Sequence, residues 1–295
     1  MRRDLNRKEI KTMANNIITA EKYAGIVDAA YKKASLTAIL DSATKLDFSG
    51  AKTVKVMKVE TSGLGDYSKQ NGYAKGNVSV TWEDMTLTED RSAELEIDRM
   101  DDEETLGMAV GAATKDFMQM NVGPEVDAYR FMKFAKAAGI GAASGSLADG
   151  SAVVSALRGA TTAMDEAEVP NEDRVLFITP TLYGSVQDLD TNKSREVLKR
   201  FSTIVEVPQT RFYTDITLNS GADSWGYTKG AGAKNINFIV VSKSAIVQAT
   251  KLALPKIFDP DTNQNKDAWK FQYRLYHDAF VYEKKVKGIY LHSAE

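Results

Sequence analysis

The 295 residues carry 38 Lys and Arg against 40 Asp and Glu, a formal net charge of -2, with 43% hydrophobic residues and no cysteine. That balance offers no broad basic surface for tight phosphate binding, and the missing thiols exclude disulfides, thiolate nucleophiles and zinc-thiolate sites. The apolar content suffices for a core in one large domain or two interlocked ones; with no run of about 18 uncharged apolar residues and no apolar leader, the chain is expected to stay in the cytoplasm where it is made, off the membrane.

In chain order, residues 1–12 (MRRDLNRKEIKT) hold five basic and two acidic residues just ahead of Met13, and read either as a leader to a second start or as an arm. From Ile17 to Leu40, Tyr23, Ile26, Val27, Ala30 and Tyr31 line one face of a short helix too weakly patterned to fold alone. Thr53 to Glu60 changes period: Val54, Val56 and Val59 flank lysines in a strand-like alternation, and Asn77 to Trp82 repeats it with Val78, Val80 and Trp82 on one side. Between them TSGLGDYSKQNGYAKG is rich in glycine and polar residues, which predicts a long-tipped hairpin. Two strands alone are marginal in water, so the ribbon's apolar residues must rest on something outside it, such as another copy. Ala93, Leu95 and Ile97 then resume the strand pattern.

Asp98 to Gly139 is the longest stretch of one helical character. Asp101 to Glu104 crowd its start and Lys133 and Lys136 its end, as the helix dipole favours, and Leu106, Val110, Ala113, Phe117 and Met120 fall on one face, with Gly107 and Gly111 making a flat groove. Gly123-Pro124 predicts a bend or restart. Beyond it Ala128, Phe131, Met132, Ala135 and Ala138 form a second stripe, with Glu125, Arg130 and Lys133 to solvent.

GIGAASGSLADGS, after the helix, is a small-residue linker and a domain boundary. Ser151 caps a helix whose stripe is Val154, Leu157, Thr161 and Met164. Val175 to Ile178, Phe238 to Val241 and Ile289 to Leu291 are unbroken apolar runs, which predicts the centre of one sheet covered on both faces, Pro180 to Leu189 being one covering helix. Val205 to Lys234, with Pro208 and Trp225, reads as an extended surface loop. Ala245 to Phe258 and Trp269 to Lys284 flank the turn-rich DPDTNQNKD, the second with a long strand's pattern.

Chemistry is hard to find. Asp259, Asp261, Asn263, Asn265 and Asp267 have the odd spacing of a calcium loop, but Gln264 stands at the glycine position and Lys270 where a bidentate glutamate belongs, so a solvated turn is the better reading. Gly139, Gly141 and Ser144 follow a helix, whereas a dinucleotide fingerprint follows a strand. His277 and Asp278 are strand neighbours pointing to opposite faces and cannot form a relay with each other. No catalytic residue, metal site or cofactor site is expected.

Specific phrases, in order, resemble one family. GLGDYSKQNGY in the hairpin, TLTEDRSAELEIDRMDDEET leading into the helix, PEVDAYRF within it and FDPDTNQNKDAWKFQYRLYHDAFVYEKKVKGIYLH near the end are similar to the major capsid proteins of tailed bacteriophages, whose fold encapsulin compartments share. The resemblance spans about Met13 to His292. It implies an α+β capsid fold: an N-terminal arm (1–45), an extended β-hairpin (46–92), a peripheral domain around a spine helix (93–138, completed by 245–285) and an axial domain with a central sheet (139–244, completed by 286–295), whose loop lines a capsomer axis.

By this resemblance the chain is a non-enzymatic subunit that self-assembles through pentamers and hexamers into an icosahedral virion shell around double-stranded DNA. A separate scaffolding protein and a portal are its further partners, the DNA is touched weakly and without specificity, and assembly takes place in the host cytoplasm. An encapsulin-like cargo compartment is the alternative, and a cytoplasmic enzyme on the sheet of residues 175–241 a distant one. Some family members join a hairpin lysine to a neighbour's asparagine; Lys69 and Lys75 lie in the tip, but sequence supplies no geometry for such a bond. Tyr67, Lys69, Tyr73, Lys75, Trp82 and Trp225 are the candidate interface residues, with Trp82 as a buried anchor between subunits.

Overall fold

The computed structural model describes residues 34–41, 48–49, 53–70, 72–104, 109–189 and 191–295. The apolar residues expected to line a helix between Ile17 and Leu40, from Tyr23 to Tyr31, lie outside them, as do Leu106 and Gly107.

Alternation at 53–60 and 77–82 does produce strands. β1 (Phe48–Ser49), β2 (Thr53–Thr61) and β3 (Val78–Thr86) form one sheet in that order, β2 and β3 pairing antiparallel from Thr53↔Thr86 to Thr61↔Val78. After Leu87 and Thr88, β4 (Glu89–Asp98) leaves that sheet and runs into a short helix, Arg99–Glu104.

From Ala109 to Lys136 the backbone stays helical through three successive segments: α over Ala109–Asp116, π over Phe117–Val122 and α over Gly123–Lys136. The bend or restart expected at Gly123-Pro124 takes the form of a return from π to α winding at Gly123, with the backbone helical throughout. Gly123 keeps helical angles (φ -56°, ψ -53°), and the wide turn just ahead accommodates a proline that has no N–H to give. That turn also moves the buried line. Val110, Thr114, Met118, Val122 and Val126, each four residues from the last, face inward, while Met120, placed inside by ordinary helical spacing, is exposed.

β5 (Gly141–Ser144) follows the helix. The next helix, Gly150–Glu166, is capped by Asp149, whose carboxylate accepts from the Ala152 N–H at 2.7 Å, and not by Ser151. Its stripe of Val154, Leu157, Thr161 and Met164 is buried as read. β6 (Arg174–Ile178), the helix Pro180–Asp188, a shorter helix Asn192–Leu198 and β7 (Thr203–Glu206) come next.

The stretch read as an extended loop is structured. It holds a 3-10 turn (Gln209–Arg211) and a small antiparallel pair, β8 (Ile216–Leu218) with β9 (Tyr227–Lys229), whose Ile216 packs with Ala128, Tyr129 and Met132 of the long helix. Apolar residues spaced between glycines hid this packing from a composition reading.

β10 (Ile236–Ser242), β11 (Ile246–Phe258), β12 (Ala268–Val281) and β13 (Ile289–Ser293) complete the chain. The three unbroken apolar runs do sit together, in a sheet of order β5-β13-β10-β6-β7. Val175 and Phe177 face one core with Phe131, Phe134 and Ile239; Leu176 and Ile178 face another with Leu157, Met164 and Phe238. Period-two geometry sends alternate apolar residues to opposite covered faces. A second sheet, β11-β12-β4, lays Phe271, Tyr273 and Leu275 on Met118, Val122 and Val126.

Arg130, expected in solvent, is fully buried. One helical turn of the PEVDAYRF phrase grips the segment 35–41: Asp127 accepts from Ser35 Oγ (2.8 Å), the N–H groups of Leu36 (2.8 Å) and Thr37 (3.1 Å), Thr37 Oγ1 (2.7 Å) and Arg211 (3.3 Å). Arg130 donates to Thr37 Oγ1 at 2.9 Å and pairs with Asp41 at 3.4 Å. Replacing Asp127 by alanine removes the acceptor shared by two hydroxyls, two N–H groups and the partly buried Arg211 guanidinium. Asp127→Ala is therefore expected to reduce unfolding free energy by about 3–5 kcal/mol, seen as a lower urea midpoint; a midpoint within error of the parent would refute this account of the node.

Candidate assembly interface

The hairpin changes character along its length. At its root Val54, Met85 and Leu87 are buried with Val247 and Ala249 of β11. Tyr276 of β12 donates its hydroxyl to the Leu87 carbonyl at 3.0 Å. Farther out, cross-strand pairs Met57↔Trp82, Val59↔Val80 and Thr61↔Val78 put an apolar row on one face, and among the described residues nothing covers it: Trp82 is 61% exposed and Val78 64%. Val54, Val56 and Val59, grouped in the sequence reading, do not share a face. A strand has period two, so 54 and 56 turn to the body while 57 and 59 turn away. Met57, missed earlier, follows from that count as Trp82's partner.

The opposite face is polar and lies toward the body, where Lys58 meets Glu283 at 2.5 Å and Glu60 meets Lys284 at 3.0 Å. Past Thr61 the connection is closed by Ser62 and Asn77, whose backbone and side-chain groups exchange hydrogen bonds (Ser62 N to Asn77 O, 2.9 Å; Asn77 N to Ser62 Oγ, 2.8 Å). A small bridge between Ser68 and Gly72 follows, Gly72 supplying the positive φ (75°) the turn needs. Tyr67 and Tyr73 meet edge to face across it at 5.2 Å, with Tyr73 87% exposed, and Lys69 and Lys75 point to solvent alongside.

Of the six candidate residues the structure thus places five on this one ribbon, and only Tyr67 and Tyr73 touch. Trp225 belongs to the loop between β8 and β9 and is 71% exposed. Arg91 of β4 holds that loop, donating to Glu125 (2.6 and 3.3 Å) and to the carbonyls of Asn219 (2.7 Å) and Gly226 (3.4 Å). Trp225 overhangs a cleft bordered by Phe117, Val126 and Tyr273. It therefore stands against the long helix and β4, not on a free loop.

The hairpin's return into β4 is fixed by Asp278, from the YHDAF phrase. Fully buried, it accepts from Thr88 N (3.1 Å), Thr88 Oγ1 (3.0 Å), Tyr129 OH (2.9 Å) and the Ala279 N–H (2.8 Å), and Lys133 pairs with it at 3.2 Å. Burial holds Tyr129 protonated far above the usual phenol range. His277 packs its ring edge to face at 5.4 Å against Tyr129, the same residue whose hydroxyl donates to Asp278. Asp127, Arg130 and Asp278 are thus buried charges that tie distant segments together; what marked them in sequence was a charge inside an otherwise apolar helix or strand pattern. The carboxylates of the calcium-like loop are engaged too: Asp259 accepts from the Thr262 N–H at 2.8 Å, and Arg99 binds Asp261 and, at 2.9 Å, Asp267.

Burial, reinforced by the charge of Arg130, lowers the His277 pKa to about 3. A group charged less readily folded than unfolded costs nothing above the unfolded pKa of about 6.5, and its penalty grows as pH falls from there toward 3. Between pH ~6.5 and ~5, above most carboxylates, His277 is expected to lower unfolding free energy by up to about 1.4 kcal/mol per pH unit, and His277→Gln is expected to reduce the slope by that share, leaving the smaller contribution of His292, whose pKa burial also lowers. An unchanged slope in the variant would show that His277 is not the titrating group.

No family model matches the sequence, and no curated protein matches it. Solved structures do. A virus-like particle from Pyrococcus furiosus aligns over 92% of this chain and 98% of its own at TM-score 0.61 and 10% identity. The mature capsid of bacteriophage PhiM1 aligns over 83% and 82% at TM-score 0.60 and 11% identity, and the capsid of cyanophage P-SCSP1u over 86% and 90% at TM-score 0.54 and 15% identity. The chain has the α+β fold of these capsid structures.

Proposed function

We propose that this chain, folded as tailed-phage capsid subunits are, is a major capsid protein: a non-enzymatic unit that repeats in pentamers and hexamers to close an icosahedral head around double-stranded DNA. The observation that carries this reading is the apolar row of Met57, Val59, Val78, Val80 and Trp82, exposed on the outward face of a ribbon whose other face is held to the body. In the assembled head, another copy covers it. Residues 1–45 serve as the arm, 46–92 as the hairpin, 93–138 with 245–285 as the peripheral domain, and 139–244 with 286–295 as the axial domain.

The energetics favour repetition over a lone dimer. The row exposes on the order of 500 Å², against roughly 800 Å² per partner in a stable pairwise interface. One such contact is weak; many, made simultaneously around a closed shell, add through effective concentration, and their individual weakness lets misplaced subunits leave. Tyr67, Lys69, Tyr73 and Lys75 extend the contact at the tip, and Trp225 offers a second site on the long-helix side. A separate scaffold guides curvature, a portal takes one vertex, and a chain of net charge -2 touches the packaged DNA only weakly. Assembly in the host cytoplasm precedes residence in the virion.

Trp82 is bare in the single subunit, so Trp82→Ala is expected to leave the subunit's thermal midpoint unchanged. The same change removes an aromatic anchor from the contact, and the protein concentration needed to form particles is expected to rise at least about tenfold, read by light scattering and electron microscopy. Unaltered assembly would remove Trp82 from the interface. A chain that stays strictly monomeric at millimolar concentration, with and without a scaffold candidate, would overturn the capsid reading.

A further inference from the structure

We propose that a two-point ionic clamp sets the angle at which the hairpin leaves the body, and that ionic strength tunes it. Lys58 and Glu60 are two apart in β2 and so share its polar face. They meet two consecutive residues of the turn Glu283–Gly288 with opposite signs in matching order: Lys58 with Glu283 at 2.5 Å and Glu60 with Lys284 at 3.0 Å. Lys284 also donates to the Val59 carbonyl at 2.9 Å, so its one ammonium holds both a side chain and the strand's backbone.

Position gives these contacts leverage. The buried root, where Val54, Met85 and Leu87 pack on Val247 and Ala249, fixes where the ribbon starts, and the clamp acts beyond it on the direction of the outer strands. Glu60 lies six residues farther out, about 20 Å along an extended strand. A second attachment there converts a pivot into a fixed bearing. With the polar face held down, Met57, Val59 and Trp82 are turned away from the body, where a neighbour reaches them.

The same contacts are open to solvent, Lys58 being half-buried and Glu60, Glu283 and Lys284 more exposed. Lys58 is held protonated above its ordinary range and Glu60 ionised below its own, each chiefly by the hydrogen bond to its clamp partner. Exposed pairs weaken as the Debye length shrinks from about 10 Å at 0.1 M salt to about 3 Å at 1 M. The root, being apolar, does not weaken with them. Raising salt therefore frees the ribbon's direction without detaching it, a device built for orientation and not for stability.

The chain has no cysteine, so Gln70→Cys and Ser155→Cys give two unique positions for spin labels, one on the ribbon tip and one on the helix Gly150–Glu166. Pulsed electron resonance on the full-length subunit, kept dilute and unassembled, is expected to give one narrow distance distribution at low salt. Adding Lys58→Glu with Lys284→Glu should broaden it at least about twofold, as should about 1 M salt in the parent. Reversing all four charges, by further adding Glu60→Lys and Glu283→Lys, should restore the narrow distribution. Wild-type width in the two-charge variant, or failure of the four-charge swap to restore it, would overturn the clamp. Circular dichroism confirms that each variant is folded. The readout needs no shell, so a clamp that behaves as described in a chain that never assembles would count against the capsid reading alone.

Discussion

A two-stranded ribbon has two faces and can lay only one of them on its own body. Here the polar face, with Lys58 and Glu60, is the one turned inward, and the apolar face is left bare. Burying Trp82 and its row is worth far more than burying lysines, so a chain meant to function alone would have turned the ribbon over. The rest of the architecture is consistent with that inversion: a rigid body that holds the root of the ribbon and offers nothing to its tip.

The rigidity comes from polar groups as much as from the two cores. Asp127 and Asp278 each sit fully buried and are satisfied by donors from distant parts of the chain, the first from segment 35–41 and the 3-10 turn at Arg211, the second from Thr88, Tyr129 and Lys133. Such nodes tolerate no sliding, because any shift leaves a charge without its partners. The long helix carries Asp127, Tyr129, Arg130 and Lys133 within two turns, so it joins the hairpin's exit, the segment 35–41 and the β8–β9 pair at one place.

Much of this was legible in the sequence. The buried strands β6, β10 and β13 announced themselves as unbroken apolar runs, and the bare row showed as Val78, Val80 and Trp82 in a stretch with too few strands to bury them. The failures share a cause. Arg130 was read as solvent-facing because its charge said so, yet charge is compatible with burial when Thr37 and Asp41 stand opposite, and those partners are about ninety residues away. Met120 was misplaced because its spacing fits an ordinary helix, whereas the π turn Phe117–Val122, in which it lies, changes the period. Segment 205–234 looked like loop because its strands are three residues long. The ion pairs under the ribbon were invisible for the same reason as Arg130's partners: Lys58 and Glu283 are 225 positions apart.

The bare aromatic row also bears on what happens to the subunit between synthesis and use. A freshly made copy displays a greasy stripe that any chaperone, unfolded chain or stray particle fragment can grasp, and the extended strands beneath it are a template for fibre growth. Lys55 and Asp84, paired at 3.8 Å, flank the inner end of that stripe next to Met57 and Trp82 and act as gatekeepers against indiscriminate sticking. Lifetime in the free state is thus a hazard, and fast consumption by correct neighbours is its natural remedy.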